Sequence, residues 1–292
     1  MKKFVTMAVA LTMALGLVAC GSKSDDAQTA PETEEVQAEV TEEAEAETAE
    51  ATDERTTFTV GFDAEFPPYG FLDEATGEYV GFDLDLAAEV CARNGWELVK
   101  QPIDWDAKDM ELSSGAIDCI WNGFTINGRE DQYTWTVPYV DNSQVFVVAS
   151  DAGIASMADL AGKNVGVQKD SSALAALEDE ANADLAASFA SLTQYADYNT
   201  GFMDLEAGAI DALALDIGVA KFQVSSREDG AYVILDDALA LEQYAVGFLK
   251  GNDALKDQVE ATLMEMVEDG TFTKIAENYA DYGLVDSVCL GK

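Results

Sequence analysis

The chain has 292 residues, with 56 Asp and Glu against 16 Lys and Arg, no histidine, and a net charge of -40. So acidic a chain lacks the Lys and Arg that phosphate contacts require, which argues against nucleic acid as a partner and disfavours acidic targets. Without histidine, Ser-His-Asp and Cys-His catalysis and histidine metal sites are excluded, and no metal or other cofactor is expected.

The N-terminus reads as an address. Lys2 and Lys3 precede an apolar run from Phe4 to Val18, too short and too one-sided in its flanks for a spanning helix, which predicts a secretory signal. The run ends in Leu17-Val18-Ala19-Cys20-Gly21, which resembles the bacterial lipoprotein box. Residues 1–20 are therefore expected to be a lipoprotein signal, with Cys20 lipidated and the protein held at the outer face of the cell membrane without crossing it. Residues 21–55 carry 13 acidic and two basic residues, one proline and no aromatic residue. Such a segment cannot bury enough surface to offset chain entropy and predicts a disordered acidic tether. Three further cysteines remain, an odd number. Cys91 and Cys119 fall in apolar helical and strand patterns and read as buried thiols.

From Thr56 onward short β-rich runs alternate with helical periodicity. Thr57 to Phe62 predicts a strand. Asp83 to Arg93 predicts a helix with Leu84, Ala87, Ala88 and Cys91 on one face and Asn94-Gly95 as its stop. Trp96 to Ile103 and Ala116 to Trp121 predict strands, with a short helix around Ala107 to Leu112 between them. The run Ser143 to Ala149 leads into a second unit with Val165 to Gln168 as a strand, Ser172 to Ala183 as a helix, and strands near Thr193 and Ala212. Gln243 to Leu249 is strand-like and carries the chain back. Asn252 to Glu268 is an amphipathic helix, and a last helix runs from Thr271 to about Tyr282. Alternation of this kind predicts mostly parallel sheets flanked by helices.

An internal echo divides the chain. Met110-Glu111-Leu112-Ser113-Ser114-Gly115-Ala116-Ile117-Asp118 recurs as Met203-Asp204-Leu205-Glu206-Ala207-Gly208-Ala209-Ile210-Asp211. Each copy is a helix ending at a glycine, followed at once by a strand. Two related lobes follow, the first of residues 56–147 and 242–292, the second of 148–241. Ligands of open α/β sheets bind beyond the carboxyl ends of the strands, so two facing sheets make one cleft.

At those strand ends lie groups suited to a zwitterion. A carboxylate needs paired donors or a helix start, an ammonium needs a carboxylate, and both need shelter from water. Arg129 lies just past Thr125, Asp170-Ser171-Ser172 opens a helix, and Asp216 follows the apolar run Ala212 to Leu215. Simple N-capping is the better account of one of the two serines and an equal one of Asp216. Phe66 and Trp105 stand in polar loops as candidate pocket walls, while Tyr69 and Trp121 read as core.

At these residues the chain resembles the extracellular solute-binding proteins of family 3, the amino-acid ABC-transporter group. The similar stretches are Val60-Gly61-Phe62-Asp63 with Phe66-Pro67-Pro68-Tyr69, Gly81 to Ala87, Leu112 to Asp118, Asn122 to Ile126 with Arg129, Pro138-Tyr139, Val165 to Gln168 with Ser171-Ser172, and Asp269-Gly270. The resemblance implies a two-lobed type II periplasmic-binding fold and a monomer that delivers a free amino acid to a transmembrane permease. It implies Arg129, Thr125 and Ser172 on the ligand carboxylate, Asp216 and the Gly123 carbonyl on the α-ammonium, Phe66 and Trp105 around the side chain, and Asp63 within reach of it. The family usually has one more residue before this arginine. Gly128 can adopt dihedrals that would let the guanidinium reach regardless. Phe66, Trp105 and the absence of a Lys or second Arg from the candidate segments favour a neutral or polar ligand over an acidic one, with a basic side chain open through Asp63. The rival reading is an enzyme on the same fold, resembling the cyclohexadienyl dehydratases, since carboxylates alone can serve as acid and base.

Overall fold

The computed structural model describes residues 55–292; the expected signal, Cys20 and nearly all of the tether lie outside the described residues. Two sheets organise the chain. The first runs in the order Glu97–Pro102, Thr57–Phe62, Cys119–Ile120, Gly247–Phe248, Thr134–Trp135. Its first three strands are parallel, and Gly247–Phe248 is antiparallel to both neighbours. The second runs Ser191–Tyr195, Asn164–Gln168, Ala212–Asp216, Val140–Ala149, Tyr232–Ile234, with Ala240–Tyr244 pairing the start of Val140–Ala149. Its first three strands are again parallel and the others antiparallel.

Burial follows this layering. Every residue of Ala212–Asp216 is buried, as a central strand covered on both faces requires, whereas the edge strand Glu97–Pro102 alternates exposed and half-buried. The helix Phe82–Asn94 packs Phe82, Leu84, Leu86, Ala87, Val90 and Cys91 inward, and Gly95, with φ +72°, closes it in the left-handed conformation. The free thiols of Cys91 and Cys119 are buried and that of Cys289 half-buried. Among the described residues no helix is long and apolar enough to cross a membrane.

The echo is a structural duplication down to single hydrogen bonds. The helices Lys108–Ser114 and Tyr198–Glu206 both unwind at a left-handed glycine, Gly115 and Gly208. The Ala116 amide then donates to the Glu111 carbonyl at 3.0 Å, and that of Ala209 to the Asp204 carbonyl at 2.8 Å. Asp118 accepts from the Thr59 amide at 2.7 Å, and Asp211 from the Asn164 amide at 2.8 Å. Even the tight approach recurs: a Cβ on Gly61 would meet Ile117, and one on Gly166 would meet Ile210.

Some expectations are corrected. The expected boundaries at 147/148 and 241/242 fall inside the strands Val140–Ala149 and Ala240–Tyr244 of the second sheet, whose ends Val140 and Tyr244 also bridge Val288 and Thr125. The strand-like run Gln243 to Leu249 is accordingly the end of one strand and the whole of another, in different sheets. The helix expected over Ser172 to Ala183 breaks after Glu178. Asp179 is extended and accepts from the Ala181 amide, so a side chain that caps a new turn outcompetes continuation of the old one. The last helix also ends early, at Glu277, before a 3₁₀ turn over Ala280–Tyr282.

Candidate functional site

Strand ends from both sheets converge on a small cavity lined by Phe66, Trp105, Asn122, Gly123, Gln168, Ser171, Ser172, Tyr198 and Asp216. The backbone at Gly123 takes φ +55°, and a Cβ there would stand 2.8 Å from the Phe66 ring and 3.0 Å from that of Tyr244. Only glycine lets the chain turn so close to these rings. Its amide donates to Asp83 at 2.6 Å; full burial raises that carboxyl to about 7.

Asp216 is the N-terminal flanking residue of the helix Ile217–Ser225, but its side chain makes no capping bond. The capping alternative therefore fails. The carboxylate, 4% exposed, accepts instead from Asn142 at 2.8 Å, Gln144 at 2.7 Å, Tyr244 at 2.5 Å and Tyr198 at 3.3 Å. The same two amides donate to Glu242, also buried, at 2.7 and 2.8 Å, and the Thr125 hydroxyl donates to it at 2.8 Å. Two buried carboxyl groups thus share neutral donors. Desolvation, followed by the charge of Glu242, raises Asp216 to about 7.

Arg129 does reach across the cleft despite the shortened loop. Gly128 turns with φ +78°, and the Arg129 amide closes the turn on the Ile126 carbonyl. The guanidinium lies 5.4 Å from the Phe124 ring centroid, donates to the Ser172 hydroxyl of the other lobe at 2.9 Å and reaches the Thr125 carbonyl at 3.3 Å. Ser171 is the capping serine: its hydroxyl accepts from the Leu174 amide and donates to the Gln168 carbonyl. Thr125 donates its hydroxyl to the buried Glu242. Tyr69 and Trp121, read as core, are buried.

Asp63 lines a second cavity of about 550 Å³ that shares Trp105 with the first. Its carboxylate accepts from Gln168 of the opposite lobe at 2.7 Å and from the Glu65 amide at 2.8 Å, and burial raises it to about 6. Glu65, Asp104, Asp106, Glu111 and Asp197 line the same cavity. Among the described residues no group is arranged to hold a metal ion, so these carboxylates present diffuse negative charge.

Of the nine residues expected at a ligand site, Phe66, Trp105, Gly123, Ser171, Ser172 and Asp216 line the small cavity, Asp63 and Arg129 line neighbouring ones, and Thr125 lines none of these; Asn142, Gln144, Tyr198, Tyr244 and Glu242, grouped around Asp216, were not among the nine. A signal existed for two of them. In the strand Val140–Ala149, Asn142 and Gln144 stand two apart on one face, continuing the alternation of the apolar residues that follow, while Asp141 and Ser143 fall on the other. Register places Gln144 opposite Asp216 and Asn142 opposite Glu242, which only the assembled sheet reveals.

Two lobes that bring opposite charges to a shared, sheltered cleft define a two-domain binding protein of the type II periplasmic-binding class. The family model of bacterial extracellular solute-binding proteins, family 3, matches residues 58–282, and the chain belongs to that family. It is 28% identical over 229 residues to the L-cystine-binding protein TcyJ of Escherichia coli, covering 77% of this chain and 83% of that one. A solved ABC uptake transporter substrate-binding protein from Streptococcus pneumoniae with bound histidine is 34% identical, covers 76% of this chain and 92% of its own, and superposes with a TM-score of 0.73. An ancestral arginine-binding protein bound to arginine is 33% identical, covers 77% and 98%, and has a TM-score of 0.71.

Proposed function

We propose that this protein captures a free α-amino acid between its lobes and hands it to an ABC importer permease, acting as a monomer tethered outside the cell through a lipid on Cys20. The observation that carries the reading is Asp216. A buried carboxylate surrounded by neutral donors and paired with a second carboxylate favours a cation from outside, and an α-ammonium supplies one. Arg129, joined to Ser172 on the wall of the same cavity, offers its remaining donors to the α-carboxylate. The relatives named above are binding proteins, which does not favour the dehydratase-like alternative.

For the side chain, the preference for a neutral or polar group gives way to a basic one. Six carboxylates line the neighbouring cavity, of which Asp106 is paired with Lys169, and with Trp105 on its wall the field left by the other five attracts cations. Relatives named for arginine and histidine support a basic side chain, whereas TcyJ, named for L-cystine, does not. A thermal-shift screen of the twenty amino acids tests both levels. Arginine or lysine is expected to raise the melting temperature most, and glutamate and aspartate least. Stabilisation by an acidic amino acid above all others would overturn the basic preference. Stabilisation by none would overturn amino-acid capture itself.

Binding is also expected to be pH-dependent. The ammonium requires Asp216 ionised, while the ligand-free carboxyl, raised to about 7, takes up a proton as pH falls through that value. Below it, ligand must displace a proton, so affinity drops about tenfold between pH 8 and pH 6. Calorimetry at the two pH values checks this; equal dissociation constants would show that Asp216 does not face the ammonium.

A further inference from the structure

Lys108 is a buried ammonium that amino-acid recognition leaves unused. Only 2% of its side chain is exposed, although it begins the helix Lys108–Ser114 on the cleft rim of the first lobe. Its Nζ lies 5.1 Å from the centre of the Trp105 ring, donates to the Trp105 carbonyl at 3.4 Å, and pairs with the carboxylate of Asp170 in the second lobe. Asp170 stands in the turn between Asn164–Gln168 and Ser172–Glu178 with φ +56°, a left-handed conformation that side-chain-bearing residues adopt at a cost. The neighbouring residues make the reciprocal pair: Lys169 of the second lobe bonds Asp106 of the first. Acid and base thus alternate on each rim, Asp106 and Lys108 facing Lys169 and Asp170.

We propose that Lys108 is a positioning residue that fixes the Trp105 wall while joining Asp170 across the cleft, and that with the Asp106–Lys169 pair it forms a latch setting how long an amino acid stays bound. The two pairs contribute unequally. Asp106 and Lys169 are 41% and 55% exposed, so water and salt screen them and their pair is weak. With the lobes together Lys108 is only 2% exposed, so losing the Asp170 carboxylate there leaves a buried charge without its partner. The left-handed turn at Asp170 is offset by the same contact. When the lobes part, both pairs break together and the hold on Trp105 from the second lobe is lost. The latch therefore acts on dissociation, with little effect on the encounter of ligand and open cleft.

This inference rests on the amino-acid reading of the cleft, and the test separates the two. Stopped-flow fluorescence on the full chain, with the amino acid that stabilises it most, gives association and dissociation rates. Hydrogen exchange of the amides at 168–172 reports cleft opening with and without ligand. Asp170→Asn is expected to speed dissociation about tenfold while leaving association within about twofold. It should also speed exchange at 168–172 in the ligand-free protein. Read in the ligand-free protein, where the cavity's affinity for ligand plays no part, Asp106→Lys should speed exchange at 168–172 less than Asp170→Asn does, and adding Lys169→Asp should restore wild-type exchange, a rescue that loss of folding cannot mimic. Wild-type dissociation and exchange in Asp170→Asn, or a failure of the charge exchange to rescue, would overturn the latch. Should no amino acid bind the wild type, the amino-acid reading falls while the exchange comparison still decides the latch.

Discussion

Asp216→Asn is expected to abolish amino-acid binding while leaving the fold intact. The substitution keeps the shape of the side chain and leaves an oxygen for Asn142, Gln144 and Tyr244 to donate to, while the new amide NH2 can donate to the Tyr198 hydroxyl that had donated to the other oxygen, but it removes the charge that faces the ammonium. Breaking a buried ion pair by removing one partner costs about 3–5 kcal/mol, at least a hundredfold in affinity. Stability should move the other way. The carboxyl of Asp216 is raised from 3.8 to about 7 in the folded chain, so its contribution to stability is fully present below about pH 4 and is lost as pH rises through 7. The amide that replaces it does not ionise, so above neutral pH the variant should melt at or above the wild-type temperature. Calorimetry showing near wild-type affinity together with a lower melting temperature would reduce Asp216 to a structural role.

Arg129→Lys is expected to weaken binding at least about tenfold, or 1.4 kcal/mol, although the charge is retained. A guanidinium can hold the Ser172 hydroxyl with one nitrogen and present others to a carboxylate; an ammonium is a point charge on a different stem. The control is chemical. Amino-acid amides lack the carboxylate, so they should bind the wild type poorly and respond far less to the substitution. If the variant binds the free amino acid as tightly as the wild type does, the contact with Ser172 is a strut between lobes and the carboxylate is held elsewhere.

The two residues illustrate how far sequence reasoning carries. Asp216 could be placed at the end of an apolar strand, yet capping and ligand binding were equally good accounts of it. Its actual hydrogen-bond partners, which exclude capping, lie 18 to 74 residues away in the chain and meet it only after the strands pair. For Arg129 the shortened loop left the register open, and the left-handed Gly128 turn closed it. Asp63 was suspected singly. The local run Asp104, Asp106 and Glu111 lies in the sequence, but its meeting with Asp63, Glu65 and Asp197 in one cavity depends on segments far apart in the chain.

What the sequence by itself determined is everything with a short range. The periods of the strands and helices, the glycine stops, the duplicated helix–glycine–strand unit and the candidate residues at strand ends all follow from neighbours within a few turns of chain. Tertiary structure alone decided where the lobes exchange the chain, which donors surround Asp216, that Glu242 stands beside it, and that Lys108 is buried against Trp105 and Asp170. These are long-range facts with one physical cause. The strands Val140–Ala149 and Ala240–Tyr244 pair across about a hundred residues of chain. That register, set when two sheets bury their apolar faces, fixes which polar side chains share a site, and no local pattern encodes it.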